Sequence, residues 1–327
     1  MKKTFLYLSA LLILNACQKD TDILIPDNPT GPNTTWYSVV PDSAAVNTLR
    51  AALAPAASAD SFTVYSTGTT GYGGGPVPGL FLSIPQGALT TGGGSTFYGT
   101  AFFKGALLKT KGEMISAGIS TTSNGALLVS GGALYIELKD NAGNTLSVTP
   151  NRSIMASYPD SPVYQQMKLY NGSPVTSNIF NWTPETDPLA SVSTGSDFYL
   201  LYTTRLNWIG PDYLFDYSAV PTGQTKIALD LPSNYTNANS VAFVSFDNMR
   251  SVVALGGDAI TRQFRSGIFP AGKPVTIVVM SKQANDYFMG TVQTVTDLPG
   301  SSADYQTVTL TPTITTLQNI QTYLSTL

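Results

Sequence analysis

A chain of 327 residues, 43% apolar and only 11% charged, has enough apolar side chains for a packed core and a polar but largely uncharged exterior. Its 17 Lys and Arg against 20 Asp and Glu leave it mildly acidic with no basic cluster, so binding to nucleic-acid phosphates is not expected. It has no histidine, which excludes Ser-His-Asp and Cys-His catalysis and imidazole-based zinc or iron centres, and leaves chemistry by carboxylates, Tyr, Lys or Ser with Lys.

Lys2 and Lys3 precede the apolar run 5–14 (FLYLSALLIL), which is followed by Ala16 and the single cysteine, Cys17. This order of basic, apolar and small residues is that of a secretory signal peptide over 1–16, and the run is too short for a hydrocarbon core that needs about 20 helical residues. Residues 14–17 (LNAC) resemble the bacterial lipobox. That resemblance implies cleavage before Cys17, acylation of its thiol and new amino terminus, and a lasting anchor, because each buried methylene contributes about 0.8 kcal/mol. The mature chain would carry 15 basic against 20 acidic residues and no disulfide, so burial and hydrogen bonds must hold the fold. Residues 18–22 (QKDTD) resemble the short acidic signal that follows the lipidated cysteine in surface-exposed lipoproteins of the Bacteroidota. The implied address is the outer membrane, lipid-anchored and facing the cell surface, with the bilayer as a partner.

Pro26, Pro29, Gly31 and Pro32 make 17–35 an extended tether. In 42–53 (DSAAVNTLRAAL), Val46, Leu49 and Leu53 recur at helical spacing behind Asp42 as N-cap candidate, which predicts a three-turn helix. Residues 67–79 (TGTTGYGGGPVPG) are too glycine-rich for a strand, and no GK[ST] follows to make a phosphate loop, so 36–79 is expected to be a linker holding one helix and one loop. From residue 80 the period becomes two. The runs 80–84, 96–103, 126–129 and 133–138 predict antiparallel strands. Residues 139–144 (KDNAGN) predict a hairpin turn, because they lack the ligand spacing and bidentate Glu of a calcium loop.

Residues 84–89 (IPQGAL) resemble the IPxGAL segment of ZU5-type β-sandwich domains. Residues 113–132 resemble a stretch of uncharacterised Bacteroidota lipoproteins reading DMIxAGxxTTSNGxLLxSGG, with Glu113 for Asp and Ile119 at a Lys-type position. The resemblance spans about 60 residues, implies a β-sandwich over 80–150, and carries no assigned catalysis. Its Gly and Ser residues are read as tight turns and bulges.

Residues 150–162 read as an irregular junction to a second β-domain over 151–327. Strands are predicted at 197–204, 226–231, 241–246, 275–280 and 287–295, with no helical run between them to build a parallel α/β sheet. Leu317, Ile320 and Leu324 have the spacing of a closing helix. The expected class is all-β: tandem antiparallel β-sandwich domains, a lipidated tether and one or two short helices.

Residues 207–213 (NWIGPDY) place Trp208, Asp212 and Tyr213 together in an expected loop, with Phe215 and Tyr217 nearby. They resemble an NWINxDxF motif of the same lipoproteins, with Gly210 replacing the second Asn. Aromatic faces beside a carboxylate suit a sugar, so Trp208, Asp212, Tyr213 and Tyr217 are the expected ligand-binding residues; the competing reading has Trp208 plugging a sandwich end and Asp212 capping a turn. Glu185 and Asp187 invite a glycosidase reading, but Ala190 occupies the place of a third acid and Pro184 and Pro188 would spoil a central strand. No Ser-x-x-Lys motif opens a helix convincingly. No catalytic residue, metal or cofactor is therefore expected. The chain is expected to be an envelope lipoprotein binding a glycan or an envelope protein through loops at a sandwich end. The alternative is a scaffold component of an envelope complex, and the weakest reading is a carboxylate-only glycosidase.

Overall fold

Strand pairing joins segments that lie far apart in the chain. The computed structural model describes residues 33–176, 179–219, 223–297 and 305–327, so the expected leader, Cys17 and most of the tether lie outside the described residues. One antiparallel sheet runs in the order Ser58–Val64, Gly99–Leu108, Ala133–Lys139, Asn207–Leu214, Lys168–Thr176, Ile179–Pro184, with Ala126–Ser130 also paired to Asn207–Leu214. A second runs Ser191–Thr194, Phe198–Thr203, Ile154–Pro159, Phe81–Ile84, Thr70–Gly73. They pack face to face over a core that includes Phe103, Ile136, Leu138 and Ile209 from the first and Leu82, Ile84, Tyr158 and Leu201 from the second.

The other face of the first sheet is covered too. Tyr170, Phe180 and Trp182 pack with Val241, Phe243, Val278 and Met280 of a third sheet, ordered Val252–Ala254, Ser240–Phe246, Pro274–Gln283, Asp286–Val295, Thr313–Thr315. The far side of that sheet, through Val244, Phe246 and Ile277, meets Ile227, Leu229 and Phe264 of a fourth, which holds the parallel pair Ile227–Asp230 and Gln306–Thr309. Coverage on both faces is why Ser240–Phe246 is buried at all seven positions and shows no alternation of apolar and polar residues.

The all-β, sandwich-like class stands, but the tandem division does not describe the packing. Strands from 80–150 and from 151–214 are paired together in both of the first two sheets, and residues 34–327 form one unit. Residues 150–162 are not a junction: Ile154–Pro159 is the middle strand of the second sheet, and its alternation of Ile154, Ala156 and Tyr158 toward the core was masked by small residues. Nor is 36–79 a linker, because Ser58–Val64 and Thr70–Gly73 are both strands. Glycine serves Thr70–Gly73 because the Phe81 ring lies across it. A Cβ on Gly73 would come within 2.8 Å of that ring. The turn at 139–144 forms as read, with Asp140 accepting the Ala142 and Asn144 N–H groups at 2.9 and 2.8 Å.

Among the described residues there are three α-helices. The first, α1 (Ala45–Leu53), buries Val46, Leu49 and Leu53 as its spacing requires, but Ala44 and not Asp42 occupies the cap position. The second, α2 (Lys111–Ser116), lies inside the segment read as turns. It is started by a capping box in which Thr110 Oγ1 accepts the Glu113 N–H at 3.1 Å and Glu113 Oε2 accepts the Thr110 N–H at 2.9 Å. The third, α3 (Leu317–Leu324), is the predicted closing helix. Gly112 of α2 sits so close to the end of α3 that a Cβ there would overlap the Leu324 carbonyl. Gly112→Ala is expected to lower stability by about 1–3 kcal/mol through this overpacking, read as a lower urea midpoint at unchanged slope.

Candidate functional site: a cleft at one end of the sandwich

The segment expected to be an aromatic loop is a strand. Asn207–Leu214 is paired along both edges: residues 207–209 with Ala133–Lys139, 212–214 with Ala126–Ser130, and 208–212 with Lys168–Thr176. Neighbouring side chains in a strand point to opposite faces, so Trp208, Gly210 and Asp212 lie on one side and Tyr213 on the other. The half-buried Trp208 ring packs against Tyr135 and Phe180 at centroid distances of 5.2 and 6.0 Å. Tyr213 meets Tyr164 at 6.2 Å over the opposite core. Tyr217 lies past the strand, where its hydroxyl accepts the Leu127 N–H at 3.2 Å and donates to the Ile268 carbonyl at 3.1 Å. The four residues do not converge.

Asp212 is fully buried, and neither carboxylate oxygen has a hydrogen-bond partner. Gly210 is required beside it: a Cβ there would stand 2.8 Å from the Gly132 carbonyl oxygen and 2.9 Å from Asp212 Oδ2. Burial pushes the Asp212 pKa up to about 7, opposed only by the nearby Ser130 hydroxyl. That hydroxyl already accepts the Gly132 N–H at 3.0 Å and does not meet the carboxylate in hydrogen-bond geometry. Asp212 is a core acid with no route to a ligand.

The Glu185 carboxylate organises a turn. It accepts from Asn171 Nδ2 at 2.7 Å and from the Thr186 and Asp187 N–H groups at 2.8 and 3.0 Å, and lies 3.5 Å from Arg205. Burial alone would raise its pKa, but the Asp187 N–H, Asn171, the Thr186 N–H and the Arg205 charge outweigh it and leave it lowered, the wrong direction for a general acid. Asp187 in turn accepts the Leu189 N–H at 2.9 Å. Among the described residues no group of three or more Cys, Asp or Glu is placed to hold a metal ion.

Loops do build a cleft, at the end of the first two sheets that holds the turns after Ser58–Val64 and Phe81–Ile84 and the entries to Gly99–Leu108 and Ile154–Pro159. It is a shallow, open depression of about 660 Å³ among Thr69, Gln86, Thr96, Tyr98, Thr149 and Arg152. Its floor is the IPQGAL segment: Ala88 N–H donates to the Pro85 carbonyl at 3.0 Å, and Gly87 takes the φ of 70° that the third position of such a turn needs. Gln86 is held by a bond from Nε2 to the Ser66 carbonyl at 2.7 Å. Tyr98 is 42% exposed. Thr149 Oγ1 is buried without a partner, and the Arg152 N–H donates to the Thr149 carbonyl at 3.1 Å, which fixes the loop bearing the guanidinium. That guanidinium has no acid partner among the described residues, and the lining contains no carboxylate. A tyrosine face, a guanidinium, an amide and the hydroxyls of Thr69 and Thr96 can hold a hydroxyl-rich ligand.

Only the floor of this cleft carried a signal in the sequence, the Pro-Gln-Gly turn. Tyr98 and Arg152 are isolated in the chain and come together through strand order alone. The chain matches no family model, and no curated protein or solved structure is significantly similar to it.

Proposed function

We propose that this chain is a lipid-anchored lipoprotein of the bacterial outer membrane, facing the cell surface, whose β body is a non-catalytic module binding a glycan or an envelope protein. The address is supported by the basic, apolar and small residues that lead to Cys17 and by the acidic residues after it. The binding role is supported chiefly by the sandwich-end cleft. It has the size of a small-ligand site, and within it a guanidinium with no acid partner among the described residues stands beside an exposed tyrosine. A glycan is the ligand of choice, because the polar groups of the lining outnumber its apolar ones and leave hydrogen-bonding capacity for several hydroxyls.

Cys17→Ala is expected to abolish incorporation of labelled palmitate and to release the protein from the membrane fraction. Retention of the variant in that fraction with label intact would overturn the anchor. For the cleft, a glycan array probed with the chain lacking residues 1–17 should give a specific signal. Tyr98→Ala and Arg152→Gln should each weaken it about tenfold or more at unchanged thermal stability. A signal indifferent to both substitutions removes the cleft from the proposal.

A further inference from the structure

The outward face of the second sheet holds a different arrangement. Phe81, Phe198 and Tyr202 stand on it 41%, 38% and 38% exposed, on the side of their strands opposite the core residues Leu82, Tyr199 and Leu201. Register fixes their layout. Ser157 pairs with Phe81 on one side and with Leu200 on the other, so Phe81 is level with the midpoint between Phe198 and Tyr202, two strands away. At about 3.3 Å per residue and about 4.8 Å between strands, Phe198 and Tyr202 stand about 13 Å apart and Phe81 about 12 Å from each.

Two of the rings are laid down on glycine. The Phe81 ring spans Gly71 and Gly73, where added Cβ atoms would meet it at 3.3 and 2.8 Å, and the Phe198 ring covers Gly195. A ring backed by glycine backbone turns a face to solvent. Ser83, Ser157, Ser191 and Ser193 share this side of the sheet with the rings. None of the five strands contains an Asp, Glu, Lys or Arg, although solvent-facing sheets ordinarily carry such residues against aggregation.

An uncharged face of flat rings and hydroxyls, with the half-buried Met155 and Leu200 among them, fits an uncharged partner that has both apolar faces and hydroxyls. A second copy of the chain fits poorly. Aromatic side chains bury about 150–250 Å² each, so three rings at this exposure offer about 250 Å², well short of the roughly 800 Å² per partner of a stable dimer. We propose that this face binds an extended neutral polysaccharide, its pyranose C–H faces stacked on Phe81, Phe198 and Tyr202 and its hydroxyls bonded to Ser157 between them and to the serines beside them. The site shares no residue with the sandwich-end cleft and does not depend on it. Because the rings are farther apart than one sugar unit, a chain of several units is needed to engage two or three of them.

The test uses the full-length protein in detergent, with cellohexaose, xylohexaose and mannohexaose and the matching disaccharides as titrants. At least one hexaose is expected to bind, and its disaccharide about tenfold or more weakly. Phe198→Ala and Tyr202→Ala should each weaken the hexaose about two- to tenfold, and Ile260→Ser, at an exposed turn outside both the face and the cleft, should leave it unchanged. If the alanine variants lose thermal stability, Phe198→Leu and Tyr202→Leu, which keep apolar cover but no ring face, replace them with the same expectation. The proposal is overturned if no hexaose binds or if the double variant binds as well as the parent. It is also overturned by a sedimentation-detected dimer that the double variant breaks. Loss of binding in Arg152→Gln alone would place the glycan in the cleft, ending this proposal while supporting the earlier one.

Discussion

Arg250→Met is expected to destabilise the protein by about 3–5 kcal/mol, because it strands a carboxylate in the core. Arg250 Nη1 lies 2.6 Å from Asp160 Oδ2 and Nη2 lies 3.1 Å from Asp160 Oδ1, a bidentate pair whose side chains are only 12% and 4% exposed. Asp160 follows the middle strand of the second sheet, while Arg250 lies between Ser240–Phe246 and Val252–Ala254 of the third and receives the Ser130 N–H of the first on its carbonyl at 3.0 Å. The pair therefore ties three layers together. Its net contribution against a hydrophobic replacement is small, since both ions lost their water. The large effect comes from removing one partner alone. Arg250→Met with Asp160→Asn should accordingly recover much of the loss, a coupling visible in a urea double-mutant cycle. A single-variant loss under about 1 kcal/mol would mean that water reaches Asp160.

What the sequence made legible follows from which forces are local. Val46, Leu49 and Leu53 mark α1, and Leu317, Ile320 and Leu324 mark α3, because helical faces repeat within a few residues. The β-branched runs of the third sheet identified themselves by composition. Thr110 and Glu113 carried the capping-box spacing of α2, yet the glycines and serines around them favoured a turn reading. Sheet order was not legible, because pairing such as Asn207–Leu214 with Lys168–Thr176 depends on the whole chain. Thr70–Gly73 becomes a strand only because Phe81 arrives to cover its glycines.

The candidate site failed in the sequence for a related reason. Trp208, Asp212 and Tyr213 are close along the chain, and closeness in a loop would have brought them together. In a strand the period of two separates Tyr213 from the others and pairing buries Asp212. The cleft and the ring-bearing face gather residues from loops and strands distant in sequence. Phe81, Phe198 and Tyr202 were readable as strand residues, but which of them faces water was settled by the layer behind them.

Asp212→Asn is expected to stabilise the protein at neutral pH by up to about 4 kcal/mol and to remove a dependence on pH that the parent shows. The buried carboxyl keeps its proton to about pH 7, whereas in the unfolded chain it titrates near its ordinary value of 3.8. Between those values the unfolded state has released a proton that the folded state still holds, so stability falls as pH rises from about 4 to about 7 and is level above. A gap of about three units at 1.36 kcal/mol each sets the ceiling of about 4 kcal/mol. No neighbour supplies a compensating charge: Tyr158 and Tyr170, whose own pKa values burial raises, bring none at these pH values. Lys168, opposite Asp212 in register, is exposed and makes no ion pair with it. The amide keeps the shape and the unpartnered polar atoms but cannot ionise, so parent and variant should agree within about 1 kcal/mol at pH 4 and diverge steadily toward pH 7. Urea midpoints across pH 4–8 read this directly. A parent curve without the fall, or a gap between the two proteins that is constant with pH, would mean that the carboxylate finds water or a donor in the folded state.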